Sequence, residues 1–242
     1  VSTVWITGGG SGIGKALALS FATDGWDVVI SGRDQKRLQE VCDLSPQIRA
    51  VVCNISNEDA VLSAQPEIGA IDLAVLNAGD YRPGPTHACS PNDHRKTFEV
   101  NYFGTLNCIQ AVLPEMRKHG GKMAIVGSLA GYIGLPNAST YGPSKAALIS
   151  LCESLRAELQ DSLVTLKLIS PGFVKSTLTD RNDFEMPYLL SAEQAAIEIR
   201  RGLESDSFEI TFPRPFVRRM KLLQMIPYRL YFYLARKMTR QK

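Results

Sequence analysis

Short runs rich in β-branched residues alternate with stretches of helical periodicity along most of this chain, and that alternation constrains the fold more than any other feature. Val4-Trp5-Ile6-Thr7 reads as a strand, and Gly14 to Thr23 as a helix with apolar residues at helical spacing. Asp27 to Ser31 forms a second strand, followed by a charged helix from Gln35 to Cys42 that Asp34 can cap. Arg49 to Cys53, Leu73 to Leu76, Lys122 to Gly127 and Val164 to Ile169 are further strands. Strands separated in this way by helices imply βαβ units, and hence one parallel sheet with helices on both faces. The spacing predicts a single doubly wound α/β domain over residues 1–209 and a basic, amphipathic helical extension over 210–242. No apolar run approaches the ~18 uncharged residues that cross a bilayer.

The first strand enters its helix through Thr7-Gly8-Gly9-Gly10-Ser11-Gly12-Ile13-Gly14. A backbone that must approach a pyrophosphate closely needs glycine, which has no Cβ to intervene. The following helix N-terminus then offers free N–H groups and the positive end of its dipole to the anion. A tight strand-to-helix connection could use the same glycines, but their place after the first strand favours the phosphate reading. The spacing Gly-x-x-x-Gly-x-Gly differs from the common Gly-x-Gly-x-x-Gly fingerprint, and no Gly-Lys-Ser/Thr makes it a P-loop. At the end of the second strand stand Gly32 and Arg33, where binders of NAD usually carry an acidic residue. A guanidinium there suits a 2′-phosphate, so NADP(H) is favoured over NAD(H), with a solvated loop charge as the plainer alternative for Arg33.

Near the middle lies Tyr141-Gly142-Pro143-Ser144-Lys145, leading into a helix-forming run from Ala146 to Leu159. Tyrosine and lysine at this spacing share one helix face and can point into a single cleft. A phenol of pKa about 10 is a poor base at neutral pH, and a neighbouring ammonium is the kind of field that would lower it. Ser128 ends the strand that begins at Lys122, and such strands deliver ligand-binding residues at their carboxyl ends.

Together with the glycine turn, Asn77-Ala78-Gly79 after the fourth strand, Asn101 in Glu99-Val100-Asn101, and Pro171-Gly172 after the sixth, this pattern resembles the short-chain dehydrogenase/reductase family over residues 3 to about 205. The resemblance implies a Rossmann-type fold and an oxidoreductase that moves hydride between a nicotinamide and a carbonyl/alcohol pair. It would act as a ketone or aldehyde reductase on a hydrophobic substrate. Tyr141 would be the general acid/base, Lys145 would lower its pKa and bind the nicotinamide ribose, Ser128 would hydrogen-bond the substrate oxygen, and Asn101 would hold a water leading from Lys145 to solvent. The turn residues Thr7, Gly8, Gly10, Ser11, Gly12, Ile13 and Gly14 would hold the pyrophosphate. Arg33 would meet the 2′-phosphate, and Asn77, Ala78 and Gly79 would wall the adenosine. Pro171, Gly172 and Val174 would flank the nicotinamide, with Thr177 near its carboxamide. Where the family usually has an aspartate facing the adenine amine this chain reads Cys53-Asn54-Ile55, and the Asn54 amide oxygen can still accept that hydrogen bond. The resemblance also implies a homodimer or homotetramer through the helices that contain Asn101 and Tyr141.

The five cysteines are scattered without a CxxC pair, and none of the three histidines stands at ligand spacing from them, so neither a metal site nor a disulfide framework is expected. With no basic n-region before the first strand, the expected location is the cytoplasm or its membrane face. Leu178, Phe184, Met186, Pro187, Tyr188, Leu189 and Leu190 follow Pro171-Gly172 as an apolar lid interrupted by Asp180, Arg181 and Asp183, or as core packing for a short helix.

The charge is unevenly placed. Residues 210–242 hold nine Lys or Arg and no acid, which leaves 18 basic against 24 acidic residues, a net of −6, on the rest. Tyr228, Tyr231, Phe232, Leu234, Ala235 and Met238 fall on one helical face, and Arg229, Arg236, Lys237 and Arg240 on the other. Such a tail packs on the body or a second subunit, or lies on an anionic membrane; without a reading motif, nucleic acid is not expected. Two other readings stay open: a cofactor-binding regulatory or scaffold protein without significant turnover, and a lipid-interacting protein.

Overall fold

β-Branched and aliphatic runs buried on both faces make interior strands, and five of the seven strands take that place. The computed structural model describes residues 1–182 and 184–240, without the side chains of 237–240. The expectations for Asp183, Lys237, Met238 and Arg240 therefore lie outside the described residues. Strands β1 (Thr3–Thr7), β2 (Asp27–Gly32), β3 (Ile48–Val52), β4 (Leu73–Leu76), β5 (Gly121–Val126), β6 (Val164–Pro171) and β7 (Glu209–Phe212) form one sheet in the order β3-β2-β1-β4-β5-β6-β7. All pairs are parallel. Helices α1 (Gly12–Thr23), α2 (Gln35–Cys42), α3 (Glu58–Ile68), α4 (Pro91–Phe98), α5 (Gly104–His119), α6 (Tyr141–Glu158) and α7 (Ala192–Glu204) connect them. This is a Rossmann-like sheet with helices around it.

The two faces of the sheet separate by strand alternation. Trp5, Val29 and Ile125 turn towards α3, α5 and α6, meeting Val61, Ile109 and Leu148 in one core. Ile6, Ile30 and Ala124 turn the other way, onto Leu17 and Phe21 of α1, Leu38 of α2 and Ile199 of α7. Because β1 pairs with both β2 and β4, the winding direction reverses at β1. At that reversal the connections leave the sheet to opposite sides, and a crevice opens at the strands' carboxyl ends.

The sheet continues past the expected boundary. β7 extends from Glu209 to Phe212 beside β6, so residue 210, where the extension was placed, lies inside a strand. Beyond it run α8 (Arg214–Met225) and α9 (Tyr228–Arg240). Val217 and Met220 of α8 pack on Leu129, and in α9 Tyr231 and Ala235 are buried. Tyr228 and Phe232, which share the apolar face with Tyr231 in the sequence pattern, are exposed. A helix lying on a convex surface buries only a narrow stripe, and the i, i+4 pair 231/235 takes it.

Candidate active site

The glycine turn lies on the crevice. Gly8 and Gly12 have φ of +68° and +51°, a left-handed conformation that glycine adopts without strain. Gly14 answers a different need: a Cβ there would lie 2.3 Å from the Gly8 carbonyl oxygen and 2.7 Å from Asn77 Nδ2. Helix α1 can therefore approach β1 only through a bare backbone. We expect Gly14→Ala to lower Tm by about 2–12 °C, since overpacking against backbone costs about 1–3 kcal/mol and each is worth about 2–4 °C in a chain of this size. An unchanged melting curve would show that the turn relaxes around the methyl group.

Helices α2, α3, α4 and α7 are closed by side-chain caps from Asp34, Asn57, Ser90 and Ser191. Helix α1 is not: Ser11 makes no cap hydrogen bond, and its first turn holds no acid. Its leading N–H groups face a cleft of about 330 Å³ lined by Gly8, Gly10, Ser11, Gly12, Ile13, Arg33, Asn54, Ile55, Asn77, Ala78, Gly79 and Thr177. That volume lies in the range of small-molecule sites, and an uncapped helix start is an anion-binding terminus. These residues fit a dinucleotide. Thr7 braces the wall rather than lining it, its Oγ1 accepting from the N–H groups of Asn77 (2.9 Å) and Ala78 (3.0 Å).

Four side chains meet beside the cleft. Ser128, in extended backbone after β5, is buried, and its Oγ accepts from Ala130 N at 3.1 Å. Tyr141 opens α6, and Lys145, one turn on, is buried with Nζ donating to the Val126 carbonyl at 2.7 Å. That nitrogen lies 5.6 Å from the centre of the Tyr141 ring. Asn101 sits on a π-helical turn (Glu99–Phe103) and is fully buried. Its Nδ2 donates to Asp80 O (3.0 Å) and Ser144 Oγ (2.9 Å), and its Oδ1 accepts from Asp80 N (2.7 Å). The amide thus ties the loop after β4 to α6.

Burial sets the electrostatics of Tyr141 and Lys145. Burial pushes the Tyr141 phenol up to about 12, against the opposing pull of a hydrogen bond with Ser128, and the neighbouring Tyr81 adds to the rise. Burial also brings Lys145 down to about 8. In the protein's own groups desolvation of the phenolate therefore dominates, and the lowering expected from a neighbouring ammonium together with the positive ring of an oxidised nicotinamide stays with the proposed function.

These features recur in known proteins. A family model described as short chain dehydrogenase matches residues 2–186. The chain belongs to the short-chain dehydrogenase family. An uncharacterized oxidoreductase of Myxococcus xanthus is 34% identical over 98% of this chain and 97% of its own length. Matches to vertebrate members 7B and 7C of the dehydrogenase/reductase SDR family, including one from Danio rerio, span only 59–62% of those proteins' length. A Burkholderia cenocepacia short chain dehydrogenase solved with NADP superposes with a TM-score of 0.83 at 27% identity, covering 93% of this chain and 98% of that one. A Burkholderia phymatum member solved with NAD gives a TM-score of 0.84 at 24% identity, with 91% and 92% covered. As a member of this family the chain is an oxidoreductase with a nicotinamide-binding fold and a small-molecule substrate.

Within the short-chain dehydrogenase frame, three expected residues lie off the cleft. Pro171 ends β6, and Gly172 is pressed against the tail: a Cβ on it would stand 2.9 Å from Phe216 and 3.1 Å from Pro213. Val174 is buried and bridges to Leu190. Among the described residues of the apolar segment the regular structure is a short 3-10 turn at Thr179–Arg181. Phe173 meets Phe184 at 5.9 Å edge-on and stacks on Phe216 of α8 at 5.4 Å, with Tyr188 at 6.4 Å from Phe216.

Several participants carry no sequence signal of their own. Arg181 lines the cleft and donates to Tyr81 O at 2.6 Å. Tyr81 in turn packs edge-on against Tyr141 with ring centres 4.9 Å apart and donates to Asn182 Oδ1 at 2.6 Å. Ser144 was legible only as a spacer in Tyr-x-x-x-Lys, yet it links Asn101 to the Tyr141 carbonyl.

Proposed function

We propose that this protein is an NADP(H)-dependent carbonyl reductase acting on a hydrophobic ketone or aldehyde. The observation that carries the proposal is the meeting of Ser128, Tyr141 and Lys145 next to the uncapped start of α1, at the reversal point of the sheet. When bound, a reduced nicotinamide supplies the hydride for the carbonyl carbon. Tyr141 donates its proton to the carbonyl oxygen, which Ser128 holds by a hydrogen bond. Lys145 stabilises the resulting phenolate and binds ribose hydroxyls. Asn101, its side-chain amide committed to Asp80 and Ser144, acts by positioning α6. The phenol is protonated at neutral pH, the form that protonates a carbonyl oxygen. The apolar character of the segment after Gly172, where Phe173 packs on Phe184 and Phe216, supports an apolar substrate.

The NADP(H) preference rests on Arg33, which is exposed on the cleft rim and among the described residues has no acidic side chain paired with it, whereas Arg37 pairs with Asp34 at 3.3 Å. Arg33→Asp is expected to shift the NADPH/NADH preference about a hundredfold towards NADH, the worth of a charge-assisted hydrogen bond removed and reversed. Steady-state kinetics with both nucleotides checks this, and an unchanged ratio would remove Arg33 from the 2′-phosphate. NADPH consumption across ketones of increasing chain length tests the activity itself. Inactivity throughout, with NADPH bound, would instead favour a regulatory protein.

The reading includes assembly as a homo-oligomer through the helices that contain Asn101 and Tyr141. Cytoplasmic residence is part of it too. The five free thiols, three of them buried, suit a reducing compartment.

A further inference from the structure

The α8–α9 hairpin has a fastened side and an open side. On the fastened side Lys221 pairs with Glu209 at 3.0 Å, Gln224 Nε2 donates to Tyr132 O at 2.8 Å, and the Tyr231 hydroxyl donates to Gly134 O. Val217 and Met220 pack on Leu129 beneath them. The hairpin is thus held against the body along the segment that follows Ser128. On the open side Leu222, Met225, Tyr228 and Phe232 are 62%, 82%, 75% and 61% exposed. Tyr228 and Phe232, one turn apart, stack on each other at 5.8 Å. Exposed arginines at 214, 218 and 229 accompany them. Single exposed apolar residues are ordinary, but five large ones within residues 222–232, Leu230 included, with arginines and no acidic residue beside them in the sequence, are a surface awaiting a partner.

We propose that this side of the hairpin docks on an anionic lipid surface, with Met225, Tyr228 and Phe232 entering the headgroup region and the arginines meeting lipid phosphates. Charge selects this occupant. Residues 210–242 carry nine basic and no acidic residues, whereas the rest of the chain has a net charge of −6. An anionic membrane attracts the hairpin and repels the body, which sets one orientation. A second copy of the chain meets the opposite condition, because a two-fold contact would press two wholly basic tails together. Among the described residues no helix is long and apolar enough to cross a membrane, so the contact is interfacial. The inference is independent of the catalytic reading, since none of these residues lines the cleft.

Co-sedimentation of the full chain with phosphatidylcholine vesicles, with and without phosphatidylglycerol, tests it. Binding should require phosphatidylglycerol and weaken as salt rises. Each basic residue near an anionic surface strengthens binding about fivefold, so R218Q/R229Q should bind about thirtyfold more weakly. M225E/F232E should lose binding as well, with NADPH affinity and Tm unchanged in both variants. Should M225E/F232E fail to fold, the arginine pair decides alone. Equal binding to both vesicle types, no binding to either, or wild-type affinity in R218Q/R229Q would overturn the proposal. So would size-exclusion showing that M225E/F232E splits a dimer of the parent, which would make a second copy the occupant.

Discussion

Tyr141→Phe will lower turnover by about 10²–10⁴-fold while nicotinamide nucleotide affinity stays within a few-fold of the parent. The substitution removes one oxygen from a ring that keeps its edge-on packing against Tyr81. On the proposed reading the lost atom is the proton donor, and positioned proton transfer contributes a factor of that size. In the proposed function the nucleotide is held by the glycine turn, the α1 terminus, the rim at Arg33 and Lys145, and phenylalanine at 141 leaves each of these groups in place. Initial rates of NADPH oxidation and a fluorescence titration separate the two quantities. A variant that turns over normally would place the proton donor elsewhere; one that fails to bind nucleotide would make Tyr141 a structural group.

Lys145→Met is expected to abolish turnover and yet stabilise the fold. Burial lowers the lysine from its ordinary 10.5 to about 8, so at neutral pH the folded chain carries an ammonium that it would release more readily than the unfolded chain does. That gap opposes folding by about 3 kcal/mol, from which the lost hydrogen bond to the Val126 carbonyl subtracts about 1–2 kcal/mol. A net gain of about 1–2 kcal/mol raises Tm by about 2–6 °C. The sign gives the test its discrimination. Below about pH 8 both states of the parent hold the proton and the penalty is whole. Between about 8 and 10.5 only the unfolded state does, so the parent gains stability as pH rises and the difference from the variant closes. Thermal melts across that window should show convergence. A gap that stays constant would trace the gain to packing, and a lower Tm for the variant would mean that the Val126 contact outweighs desolvation.

What could be read from the amino-acid order follows a physical division. Interior parallel strands such as Val28-Val29-Ile30 are continuous β-branched runs because both faces are buried, and that pattern is local. The glycine turn and the Tyr141/Lys145 pair are local too, since each is fixed by one turn of backbone. β7 escaped notice because Glu-Ile-Thr-Phe is only four residues long and buries just two of them, too little periodicity to separate from loop. Arg181 on Tyr81, Asn101 on Ser144 and Phe216 on Phe173 are contacts between distant segments, which no short-range spacing records. The pKa of Tyr141 belongs with them, because the depth of a site depends on everything packed over it.

The passage of β7 through residue 210 bears on how this protein can be cut. A fragment ending there would retain Glu209 and Ile210 but lose Thr211 and Phe212, the partners of Ser170 and Pro171. The last turns of β6 would then present unpaired N–H and C=O groups, an open seam onto which another chain can add a strand. Phe212, fully enclosed in the intact protein, would leave a void beside α7. A shortened protein would self-associate for reasons unrelated to its tail, and point changes on the outer side of the hairpin are the sound way to probe it.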